Sequence, residues 1–238
     1  MMGRVLSADL LKIRRKGLWL LAVSGPFGIV ALQALNFGIR YDYLTKKYAD
    51  DLWGGLIENI ALLVPVTVLA GVTLISSLIA NVEHQTSSWK QLLALPVPRT
   101  AVFAAKFLLS VILLGVSCAL LAWGTAALGV ALGFGWNFPA VKILKISFLP
   151  FLASLPFLAL LLWMSLTVRN QAAPVAIGLL AAVCSLFAGQ LPEFVPLAWP
   201  LLAAGPPSGL RLAVGGGVLL GALILLVGAV HFERRDVD

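Results

Sequence analysis

Charged residues are grouped along this chain, and between the groups lie uncharged, strongly apolar runs at 17–39, 59–82, 107–141, 146–168, 170–192 and 212–232. At about 1.5 Å of rise per residue, a helix made from any of these runs crosses roughly 30 Å of hydrocarbon. The runs lack the alternating ten-residue segments of a transmembrane barrel, and an open sheet would leave backbone groups unsatisfied in lipid. The pattern therefore predicts an all-α membrane protein with a single domain over 1–238 and spans at about 18–39, 60–81, 107–132, 146–168, 171–191 and 210–232.

Shorter elements are legible between the spans. Leu6, Leu10 and Ile13 recur at helical spacing while Arg4, Lys12, Arg14 and Arg15 fall on other faces, which predicts an N-terminal amphipathic helix in the headgroup plane. After the second span, Ser88 and Gln91 make a capping box, Trp89, Leu92 and Leu93 share one apolar face, and Pro96 ends the turn. A second amphipathic helix is expected there. Beyond the fifth span, Pro192, Pro196, Pro200, Pro206 and Pro207 interrupt an apolar stretch that is too greasy for a solvated loop. Such backbone is tolerated at membrane depth when packed in protein, so short re-entrant helices are expected, with Glu193, Phe194, Leu197 and Trp199 as an outer gate.

Individual residues refine the picture. Pro150 and Pro156 should kink the fourth span, and Gly25-Pro26 the first. Gly129 with Gly133, and Gly217 with Gly221, are small-xxx-small pairs that allow helices to approach closely. Tyr41, Tyr43, Tyr48 and Trp53 crowd the first outer loop, where amphipathic rings anchor at the membrane boundary.

Composition narrows the function. With 238 residues, 61% hydrophobic and 11% charged, and a mean hydropathy of +1.01, little chain remains outside the spans for a soluble catalytic domain. The net charge of +7 comes from Lys and Arg at span ends, so it reads as topology rather than a nucleic-acid surface. Most of these cations, above all Arg14-Arg15-Lys16, fall on one side if both termini are cytoplasmic, as the positive-inside rule favours. Cys118 and Cys184 lie within spans and form no CxxC pattern. His84 and His231 belong to no HExxH, and Glu83-His84 alone offers too few ligands for a metal. Without a GxSxG elbow, a GxxxxGK[ST] loop or ionisable residues in mid-span, neither an intramembrane enzyme nor an ion-coupled carrier is favoured. Energy is expected from another subunit.

At Glu83, Trp89, Lys90, Leu92, Leu93, Leu95, Pro96, Arg99 and Lys106 the sequence resembles the permease subunits of ABC-2-type ATP-binding-cassette exporters, and more narrowly the lantibiotic-immunity and bacitracin-resistance permeases. Their pattern runs from an acid ending the second span through Trp-Lys and Leu-Leu-x-Leu-Pro to a Lys opening the third; Thr86-Ser87-Ser88 stands here where Gly-Thr is frequent. The resemblance implies a bacterial inner-membrane permease, not itself an enzyme, working with two ABC ATPase subunits and a second permease, identical or homologous. It implies that ATP and Mg are held by the ATPases, no cofactor by this chain. It also assigns coupling to the segment of Glu83, Ser88, Trp89, Lys90, Gln91, Leu92, Leu93, Leu95 and Arg99. The other readings are a six-span substrate-binding subunit of an importer, an intramembrane enzyme and a non-transporting membrane anchor.

Overall fold

The computed structural model describes Ser7, Leu10, Leu11, Ile13 and residues 17–85, 98–168, 170–205 and 209–234, without the side chains of 83–85, 99 and 234. Among these residues all regular structure is helical. Five helices are long and apolar enough to span a membrane: α1 (Leu18–Ile39), α3 (Leu52–Gln85), α4 (Arg99–Ala131), α7 (Ala172–Cys184, prolonged by a 3-10 turn to Gln190) and α9 (Leu210–Arg234). α5 (Ala140–Ala153) and α6 (Leu155–Thr167), bent by 46° at Ser154, are long and apolar enough only as a pair and form a candidate sixth span. Two shorter helices are α2 (Tyr41–Lys47) and α8 (Trp199–Ala204), and the described residues Ser7, Leu10, Leu11 and Ile13 are also helical.

The predicted limits of the first span match α1, whereas α3 and α4 run further than expected. They pass through Glu58 and Lys106 because a charged side chain does not stop a helix. It ends the hydrocarbon stretch only. Lys106 thereby lies two turns inside α4 and is 2% exposed.

α3 is the central element, touching α1, α4, α5, α6, α7 and α8. Close approach depends on small residues: a Cβ on Gly178 of α7 would strike the Thr73 side chain of α3, and one on Gly124 of α4 would strike Val30 of α1. Near the N-terminal end, Ile13, Leu18, Val72, Phe103, Leu109 and Leu162 belong to one buried apolar cluster, with Leu10 packed on it and Leu11 pointing away. Towards the opposite end, Phe37, Trp53, Leu56, Ile60 and Ile146 belong to a second cluster.

The Trp53 ring, expected to be exposed for anchoring, is instead packed inside the chain. It is 8% exposed, fills the space left by Gly129, and donates its indole N–H to the carbonyl of Phe134 at 3.1 Å. Gly133, at φ 84°, ends α4 in a left-handed turn that an L-residue adopts at a cost. There the N–H of Gly133 meets the Val130 carbonyl and that of Phe134 meets Gly129, the bond pattern of a Schellman cap. The Gly129/Gly133 pair thus serves packing and capping within the chain.

Candidate functional site

Proline chemistry dictates the joint between α5 and α6. Pro150 and Pro156 bracket Ser154, whose N–H reaches the Pro150 and Phe151 carbonyls and whose hydroxyl donates to Phe151 at 2.8 Å. Pro156 sits in the first turn of α6, where its missing N–H costs nothing. α9 packs directly against the joint. A Cβ at Gly217 would lie 2.7 Å from the Ala153 Cα, and one at Gly221 would lie 2.8 Å from the Leu155 Cβ. The second small-xxx-small pair is therefore seated on the joint.

Pro26 is accommodated differently, since α1 continues through it from Leu18 to Ile39. A proline has no N–H for the carbonyl four residues earlier, here Ala22. The Ser117 hydroxyl of α4 donates to that carbonyl. Beside this contact a cavity of about 50 Å³ is lined by residues of α1, α3, α4 and α5, including Pro26, Thr67, Gly71, Ser117, Ser147 and Phe151. Its hydroxyls donate to helix carbonyls: Thr67 to Leu63, Ser147 to Ile143 and Ser117 to Ala22. The cavity has the chemistry of a packing void near a proline.

At the end opposite the N-terminus, a polar network joins α1 to α3. The Gln33 amide, 5% exposed, donates to the Asn59 carbonyl at 3.1 Å, Asn36 donates to Gln33 at 3.2 Å, and Asn59 donates to the Tyr48 hydroxyl at 3.3 Å. Lys47 lies 4.8 Å from the Tyr48 ring centroid. Its ammonium pKa is raised, chiefly by the hydrogen bond and charge of Tyr48 and least by Glu58. The amides were missed in the sequence because they are uncharged, yet Gln and Asn within apolar runs are the signal that marks them.

The expected gate residues separate into two groups. Trp199 opens α8, is 7% exposed, and donates its indole N–H to the Glu193 carbonyl at 2.9 Å. It packs with Ala153, Ala203 and Ala213, and its ring lies against Gly216. Leu197, in a 3-10 turn over Pro196–Ala198, is half-buried. Glu193 is exposed and Phe194 is 74% exposed, so this ring does not join the protein interior. α8 spans only six residues, or about 9 Å, too short to cross a membrane.

Of the expected coupling residues, Ser88, Trp89, Lys90, Gln91, Leu92, Leu93 and Leu95 lie outside the described residues. Glu83 is in the last turn of α3 and Arg99 in the first of α4, both without described side chains. His231, on α9, is exposed and meets the Trp163 ring edge-on at 5.5 Å. Among the described residues no three His, Cys, Asp or Glu side chains gather as metal ligands.

Multiple long apolar helices, one broken at a proline joint, define a multi-pass membrane protein. The family described as ABC-2 family transporter protein matches residues 5–185, more than half of the chain, and the chain belongs to that family. It is thus a membrane component of transport. No curated protein and no solved structure gives a match.

Proposed function

We propose that this chain is the permease subunit of an ATP-driven exporter, moving an amphipathic or hydrophobic substrate such as an antimicrobial peptide, a drug or a lipid-linked compound out of a bacterial cell or its membrane. Membership of the ABC-2 transporter family carries the reading. The distribution of Lys and Arg supports cytoplasmic termini in the inner membrane. Two ATPase subunits, which hold ATP and Mg, dock on the segment from Ser88 to Leu95 between Glu83 and Arg99, and a second permease completes the assembly. Leu10 and Ile13, turned towards the core while Leu11 is exposed, support an amphipathic N-terminal helix at the same surface.

ATP binding displaces the docking segment, and α3 and α4, which flank it, carry the displacement into the bundle. The joint of α5 and α6, packed against α9, supports a switch between two packings, because a helix break sets where rigid halves can turn. The 3-10 turn and α8 are re-entrant, and Glu193, Leu197 and Trp199 hold the outer gate with Phe194 at its rim.

The test is coexpression with the partner ATPases and reconstitution in inside-out vesicles. Trp89→Ala and Leu93→Asp should leave insertion intact, reduce copurified ATPase by tenfold or more, and abolish ATP-dependent uptake of an antimicrobial peptide. Wild-type copurification and coupled hydrolysis in both variants would refute the docking assignment. Uptake driven only in right-side-out vesicles would refute export.

A further inference from the structure

At the far end of the bundle an open groove of about 350 Å³ runs between α3, α5 and α8. Ile57 and Ala61 of α3 and Leu201 of α8 supply apolar lining, while Glu58 and Lys142 contribute one charge of each sign. Leu62 lies one helical turn below Glu58 and is 62% exposed. Val141 and Leu144, flanking Lys142 on α5, are exposed as well. Side chains of this kind on a spanning helix face acyl chains, so the groove opens towards lipid with its charges near the headgroup plane.

We propose that the groove binds a phospholipid of the far leaflet whose headgroup carries both a primary ammonium and a phosphate, as in a phosphatidylethanolamine. The charges select it. Glu58 forms no ion pair among the described residues, and its carboxylate accepts N–H bonds that a quaternary ammonium lacks. Lys142 pairs with Asp51 at 3.7 Å, both side chains being more than half exposed. A contact that exposed and that long is weakly held, which leaves Lys142 able to turn to a phosphate. Lys47 also senses the Glu58 charge, and a wholly anionic headgroup would still face Glu58 unfavourably. One acyl chain then follows Ile57, Ala61 and Leu62 along α3.

The assembled transporter in phosphatidylcholine nanodiscs tests this, with bimane on Leu62→Cys in a Cys118→Ser, Cys184→Ser background. Lipids with brominated acyl chains, as phosphatidylethanolamine, phosphatidylcholine or phosphatidylglycerol, quench the probe when they occupy the groove. Phosphatidylethanolamine should reach half-maximal quenching at a mole fraction at least fivefold below the other two. Glu58→Gln and Lys142→Gln, both at exposed positions that tolerate substitution, should each remove that preference. Equal quenching by the three headgroups, or a preference that both substitutions leave intact, overturns the proposal. Absence of quenching by any lipid also overturns it, since the groove is then covered by protein.

Discussion

Gly217→Ala should loosen the packing of α9 on the proline joint, and the size of the effect follows from what the added methyl meets. The new Cβ would lie 2.7 Å from the Ala153 Cα and 2.8 Å from the Leu152 carbonyl oxygen, where ordinary contact begins at 3.4 Å. Both obstacles are backbone. No rotamer relieves them, and the helices must separate by about 0.7 Å, a gap that forfeits a quarter to a half of each affected contact. Overpacking of this kind costs about 1–3 kcal/mol. For a chain of this size that corresponds to a fall in Tm of roughly 2–12 °C. Gly215→Ala is the matched control, because nothing lies within 4 Å of its Cβ and alanine is the better helix former. Its Tm should stay level or rise. Unfolding can be followed in detergent with a thiol-reactive fluorescent dye, using buried Cys118 as the reporter in a Cys184→Ser background. Equal Tm values for the two variants would refute the claim that α9 is clamped on the joint.

Further outcomes follow from the same geometry. Ser117→Ala should destabilise by about 1–3 kcal/mol by stranding the Ala22 carbonyl, and by clearly less in a Pro26→Ala background, where the helix supplies its own donor; a double-mutant cycle of Tm values measures the difference. Trp199→Ala should cost about 3–5 kcal/mol through the cavity it opens among Ala153, Ala203 and Ala213, whereas Trp199→Phe loses mainly the bond to the Glu193 carbonyl and about 1 kcal/mol. With the native cysteines replaced by serine, Phe194→Cys should react quickly with an impermeant thiol reagent and Ala198→Cys slowly, and ATP with substrate should change the second rate if the gate moves; comparable rates would dissolve the distinction between rim and gate.

Six apolar runs could be recognised from residue identities because the penalty for placing charge in hydrocarbon belongs to the side chain and its solvent, whatever the rest of the chain does. The limits of α1 were legible for that reason, and the break in the fourth predicted span was legible from the prolines that bracket it, which lack the N–H a continuous helix needs. The same signal does not set where a helix ends, since α3 and α4 continue through Glu58 and Lys106. Membership of the transporter family agrees with the family resemblance around residues 83–106, and the side chains proposed for docking lie outside what the structure describes. Tertiary structure alone distinguished Gly217, which a joint requires, from Gly215, which faces open space, although they stand two residues apart in one run of glycines. It alone placed the Trp53 ring in the space beside Gly129, and it brought Ser117 to the carbonyl that Pro26 leaves free. Hydropathy states how strongly a residue avoids water or lipid. Which atom fills which gap depends on a second helix distant in the chain, and that partner exists only once the helices have packed.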